Sequence, residues 1–133
     1  MLGAIVGDIA GSTYESQNFK FESCKIFADR SIFTDDTVLT LATANHLLFG
    51  GGYSETYQTF GKTYPSAGYG KKFNDWLNSS NPRPYGSWGN GSAMRVSPIG
   101  WAFDSLDSTL AEAQRSAIVL IRQLKTRHKN CYC

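Results

Sequence analysis

The stretch from Thr34 to Gly52 constrains this chain most. Thr34-Asp35-Asp36-Thr37 sets a capping hydroxyl and two acids where a helix would begin. Val38, Leu41, Ala42, Asn45 and Leu48 then recur at three- and four-residue spacing until Gly50-Gly51-Gly52. A cap, first-turn acids, a period near 3.6 and a glycine stop together specify one amphipathic helix, with Val38, Leu41, Ala42, Asn45 and Leu48 on its inner face. No segment of the chain shows the alternation of a strand and no internal repeat is present, so the expected architecture is all-α.

Other elements follow from the same signals. Residues 2–14 are small and apolar, with Gly3, Gly7 and Gly11 spaced by four, and predict a tightly packed N-terminal core helix whose glycine face admits a close neighbour. Residues 16–33 read as an ordered loop. Ser54 is expected to cap a helix over 55–64 that ends at Pro65, and 70–77 predicts a short one. Residues 78–90 carry almost every turn signal available. A helix is expected from near Ser92 through Met94, Val96 and Ile99, with Pro98 kinking or ending it, and Asp107 or Ser108 should cap a last helix over 109–117.

After Ala117 the texture changes. Ile118-Val119-Leu120-Ile121 breaks the preceding amphipathic phase and leads into a run with four basic residues, no acid, and Cys131-Tyr132-Cys133 at the end. This divides the chain into a body, 1–117, and an atypical basic tail, 118–133, expected to arise from truncation or a reading-frame shift. The formal charge of +2 belongs to that tail, because the body holds nine basic against eleven acidic residues. It excludes a nucleic-acid partner as the default. Three cysteines make no disulfide framework, no apolar run approaches the ~18 residues of a membrane span, and Asp8 arrives too early for a secretory leader. The expected setting is cytoplasmic, with no membrane partner.

Three segments carry candidate chemistry. Thr34, Asp35 and Asp36 alone describe an ordinary helix start as well as a metal site; in the second reading they offer hard oxygens within a small arc, as Mg²⁺ or Mn²⁺ requires. Asp8 and Glu15 stand seven residues apart, on one helical face. The run 85–95, Tyr-Gly-Ser-Trp-Gly-Asn-Gly-Ser-Ala-Met-Arg, is neither a Walker A loop nor a Rossmann fingerprint. It reads either as a turn or as a loop whose backbone N–H groups suit a phosphate, with Trp88 or Tyr85 to stack on a base or ribose.

Taken together, Gly3–Glu15, Phe33-Thr34-Asp35-Asp36-Thr37 and Gly89-Asn90-Gly91-Ser92-Ala93-Met94-Arg95 resemble, in order and spacing, the ADP-ribosylglycohydrolase family, over roughly residues 1–117. The resemblance implies the N-terminal portion of an all-α bundle around a two-metal Mg²⁺ or Mn²⁺ centre. It implies hydrolysis of ADP-ribose from an ADP-ribosylated protein or from an ADP-ribose-containing small molecule. By the same resemblance Thr34, Asp35 and Asp36 are metal ligands. Asp36 with the metals activates water, and Glu15 assists. Ser87, Trp88, Gly89, Asn90 and Gly91 contact the ADP-ribose, and Met94 and Arg95 are structural, Arg95 as a buried ion-pair partner.

Family members of full length are roughly twice as long and carry a later histidine segment and an Asp-x-Asp-Thr motif with the remaining ligands. Neither is found in these 133 residues, where the last acid is Glu112 and the histidines are His46 and His128. The expectation is therefore a fragment with an incomplete site and exposed apolar faces that favour self-association. The alternatives are a non-catalytic module that binds ADP-ribose or a partner, and a decayed product without activity.

Overall fold

The computed structural model describes residues 1–15 and 26–121. The first part of the expected 16–33 loop, and the basic run and cysteines of the tail, lie outside the described residues. Within them are seven helices and no strand: α1 (Leu2–Gly11), α2 (Asp35–Phe49), α3 (Tyr53–Thr63), α4 (Lys71–Leu77), α5 (Gly91–Met94), α6 (Ile99–Ala102) and α7 (Leu106–Ile118). The all-α expectation holds.

Helix α2 is the centre. It packs against α1, α3, α5 and α6, so more than one of its faces is covered. That corrects the expected inner face. Val38 and Ala42 are buried, but with Leu39, Thr40, Thr43 and His46, whereas Leu41 and Leu48 are exposed. The shift follows from polar partners that periodicity cannot display. Thr43 Oγ1 donates to the Leu39 carbonyl at 2.9 Å and lies 3.0 Å from Tyr57 Oη. His46 stacks on Tyr53 with ring centroids 3.7 Å apart. Gly50 ends the helix at φ 77°, in the left-handed region that glycine enters without penalty.

Apolar packing centres on Leu39, Ala42, Tyr53, Tyr57, Phe73, Trp76, Leu77 and Leu120. Leu120 is only 3 % exposed although it stands beyond the change of texture at 117, and Val119 packs on the same cluster. A helix that carries Ala117 on to Ile118 brings both inward.

Two helix starts differ from expectation, and the interruption expected of Pro98 is found. Helix α3 begins at Tyr53 with Gly52 as its cap, not at Ser54, because Tyr53 is drawn into the core. Helix α7 begins one turn early, with Ser105 Oγ accepting from Ser108 N at 3.1 Å in place of a cap at Asp107 or Ser108. The single helix through Ser92 and Ile99 is two short ones, α5 and α6, separated before Pro98, which lacks the N–H that a continuous helix would use.

Helix α1 is also unlike its expectation. Asp8 is its one buried residue, Leu2 is 74 % exposed, and no described atom lies within 4 Å of a Cβ built on Gly3, Gly7 or Gly11. The glycine face receives no neighbour among the described residues. Close approach occurs instead at Gly61 of α3, where an added Cβ would lie 2.5 Å and 2.7 Å from the two Leu77 methyls. Leu77 is buried and cannot swing away, so Gly61→Ala should cost about 1–3 kcal/mol by overpacking, read as a lower urea midpoint with an unchanged m-value.

A polar chain runs through the remaining core. Arg95 is fully buried. Its Nε approaches Ser116 Oγ at 3.5 Å, its Nη2 donates to the Ser116 carbonyl at 2.9 Å, and its guanidinium lies 4.5 Å from the Tyr57 ring centroid. Because Thr43 has already given its proton to Leu39, Tyr57 must donate to Thr43, and Ser116 to Tyr57 at 2.8 Å. Hydrogen bonds from Nε and Nη2 and an aromatic face hold Arg95, while its buried Nη1 has no hydrogen-bond partner among the described residues. Among the described residues no carboxylate pairs with it, which corrects the expected ion pair. Glu112, buried like Asp8, accepts from Tyr53 Oη at 2.8 Å and Arg115 Nη1 at 2.9 Å, with His46 Nε2 at 3.6 Å.

Candidate active site

Thr34 is the N-cap of α2, its Oγ1 accepting from Asp36 N at 3.4 Å. The start of α2 is tied to α1 by one side chain. Asp8 Oδ1 accepts from Thr34 Oγ1 at 2.6 Å, and Asp8 Oδ2 accepts from Thr34 N at 2.8 Å, Thr37 N at 3.1 Å and the Thr37 hydroxyl. Glu15, in the turns that follow α1, comes to the same place. One carboxylate oxygen each from Asp8, Glu15 and Asp36 all lie within 4.8 Å of one another.

Crowding leaves its mark on proton affinity. Asp35 is pushed up to about 6, first by burial and then by Asp36, with Glu15 and Asp8 adding; its own backbone amide opposes this only in part. Asp36 is raised too, by burial and then by the charges of Asp8 and Glu15. The positive end of the α2 dipole would pull both acids the other way, so burial and like charge outweigh it here. Such a group is also a stability statement. Between pH ~4 and ~6 the folded chain holds the Asp35 proton more tightly than the unfolded chain, so this contribution is fully present below pH ~4 and is lost as pH rises through about 6. In metal-free buffer Asp35→Asn should therefore raise Tm at pH 7.5 and leave it nearly unchanged at pH 4. After discounting for the solvent-exposed part of the side chain the gain is about 1 kcal/mol.

Asp35 faces a cleft of about 400 Å³ that it shares with Ser87, Trp88, Gly89, Asn90 and Gly91. The loop is fastened at two points. Gly86 N and Ser87 N both donate to the Leu120 carbonyl at 3.1 Å, and Thr40 Oγ1 of α2 donates to the Met94 carbonyl at 3.3 Å. Trp88 is 95 % exposed, its faces free, while Tyr85 packs on the core beneath.

Of the acids and the loop named from sequence, Asp36 and Glu15 meet in the acidic cluster, and Asp35 lies with residues 87–91 along the cleft. Thr34 reaches the cluster through Asp8. Four contributors were missed. Asp8 was noticed only for its spacing to Glu15; its separation of 26 residues from Thr34 hides the contact. Lys71 and Lys72 also line the cleft, although nothing in the short 70–77 pattern marked them. Tyr69 has a buried hydroxyl without a hydrogen-bond partner among the described residues, and burial together with the Asp35 charge pushes it up to about 12.

An all-helical frame that brings several carboxylates beside a glycine-rich cleft defines a helical protein with an acidic cluster. The chain matches the ADP-ribosylglycohydrolase family over residues 1–132, and it belongs to that family. The family is helical and in general metal-dependent, and it acts on ADP-ribose conjugates. No helix among the described residues is long and apolar enough to cross a membrane.

Proposed function

We propose that this chain is a divalent-cation-dependent hydrolase that releases ADP-ribose from modified protein side chains or related conjugates. The observation that carries the reading is the meeting of the two motifs. Asp35, adjacent in sequence to the clustered Asp36, lines the same cleft as residues 87–91.

The donor set fits a hard cation. Thr34, Asp35 and Asp36 would hold Mg²⁺ or Mn²⁺, and carboxylates crowded enough to raise one another's proton affinity are those a cation relieves. When bound, such an ion orients ribose hydroxyls and offsets negative charge. The remaining steps fall to the chain itself. Asp36 takes the proton of the attacking water. Glu15 assists, its charge opposing the positive charge that builds on the ribose carbon as the glycosidic bond breaks. Ser87, Gly89, Asn90 and Gly91 hold the diphosphate and ribose, Lys71 and Lys72 add positive charge along the wall, and the exposed Trp88 offers a face for stacking.

In a second reading the chain binds ADP-ribose or a partner without cleaving anything, through the cleft that residues 87–91 line with Lys71 and Lys72. We place the protein in the reducing cytoplasm, consistent with its three cysteines. Self-association would run through exposed Leu2, Leu48, Phe49, Trp101 and Leu106. The test is release of free ADP-ribose from an ADP-ribosylated protein with and without Mg²⁺. Heat evolved on mixing with ADP-ribose, without any release from the conjugate, marks the second reading.

A further inference from the structure

We propose that Asp8 is a positioning residue: it fixes the Thr34 hydroxyl and the first turn of α2 in the geometry that receives the cation, and is not itself a ligand. The inference rests on the reading that residues 34–36 hold a divalent cation.

A carboxylate as the sole buried residue of a helix whose leucine and valine face solvent has no explanation in core packing. Its contacts supply one. An N-cap side chain ordinarily satisfies the N2 or N3 amide of its own helix. Thr34 reaches only the N2 amide, of Asp36, and Asp8 takes the N3 amide, of Thr37, from across the helix interface. Asp8 Oδ2 then has three donors, Thr34 N, Thr37 N and the Thr37 hydroxyl, which fills its lone-pair directions. Asp8 Oδ1 takes the Thr34 hydroxyl proton at 2.6 Å. That bond settles the rotor. With its proton committed to Asp8 and one lone pair facing the Asp36 amide at 3.4 Å, the Thr34 oxygen keeps one lone pair to offer a cation. Asp8 therefore contributes its charge and its hold on two threonines while its own oxygens are largely occupied, which is how supporting carboxylates orient the ligands of metal sites.

The test is Mn²⁺ binding by the full chain, followed by the electron paramagnetic resonance signal of free Mn²⁺, with helix content checked by circular dichroism. Asp8→Asn keeps the size but turns an N–H toward the threonine donors, and should weaken Mn²⁺ binding about 10- to 100-fold. Thr37→Val removes one donor and no charge, and should weaken it roughly fivefold. A role in stability alone would lower Tm and leave the Mn²⁺ dissociation constant of the folded fraction where it was. Unchanged Mn²⁺ affinity in folded Thr37→Val overturns the proposal whatever Asp8→Asn does, since Asp8 would then act by charge only. That variant also decides the matter if Asp8→Asn fails to fold. Absence of Mn²⁺ binding by the unaltered chain overturns the cation reading itself, and this proposal with it.

Discussion

Exchange of Asp36 for alanine should lower the release of ADP-ribose by at least about 100-fold, the usual worth of a positioned general base, and leave the metal-free chain as stable as before or more so. The pairing of these effects is what makes the variant informative. If Asp36 were simply a first-turn acid facing the helix dipole, its removal would cost about 0.3–1 kcal/mol of stability. Its surroundings argue the reverse. Burial and the neighbouring charges of Asp8 and Glu15 raise its proton affinity, so its ionised form is held against electrostatic resistance. Removing it relieves that resistance. The check is a rate of ADP-ribose release beside a thermal melt in the presence of a chelator. Loss of activity with an equal or higher Tm is the signature of a site residue kept at the expense of stability.

Ending the chain after Ala117 produces the second large effect, a fall in both stability and ADP-ribose affinity. Leu120 is a buried member of the central cluster, and loss of such a side chain costs about 2–5 kcal/mol, a large share of the ~5–15 kcal/mol that holds a small domain folded. Its carbonyl also accepts from Gly86 N and Ser87 N, so truncation frees the base of the loop that lines the cleft. Leu120→Ala separates the two roles because it keeps the carbonyl. That variant should melt much earlier yet keep more ADP-ribose affinity, at temperatures where it is folded, than the truncated chain, which loses the carbonyl as well as the cleft wall that Leu120 contributes. Melting curves with and without ADP-ribose read both.

Much of the architecture was legible because its signals are local. The Thr34 cap, the first-turn acids and the glycine stop bound α2 to within a residue, and turn residues mark the whole of 78–90. What escaped is non-local. The inner face of α2 turned toward Thr43 and His46 because Tyr57, Tyr53 and Glu112 supply partners from α3 and α7, which no period within α2 encodes. Small residues at Gly3, Gly7 and Gly11 suggested close packing, but small size permits an approach without compelling one. Conversely Gly61, which stands in no pattern, is where two helices meet. Leu120 read as foreign because its amphipathic phase is broken, and phase ceases to matter once a helix ends and the chain turns inward.

The candidate site divides the same way. Its ligand-type residues were readable because cap, acids and glycine loop are contiguous motifs. Asp8, which ties them together, was not, since only the crossing of α1 over the start of α2 brings it to Thr34 and Thr37. Lys71 and Lys72 joined the cleft through tertiary placement alone.

The measurement that bears most directly on the central claim is release of free ADP-ribose from an ADP-ribosylated protein by the full chain. It would be followed chromatographically in Mg²⁺, in Mn²⁺ and in chelator, with Asp36→Ala alongside. Release that requires either cation and disappears in Asp36→Ala is the predicted result. A folded chain that binds Mn²⁺ yet releases no ADP-ribose, or one whose release is indifferent to chelator, contradicts the assignment.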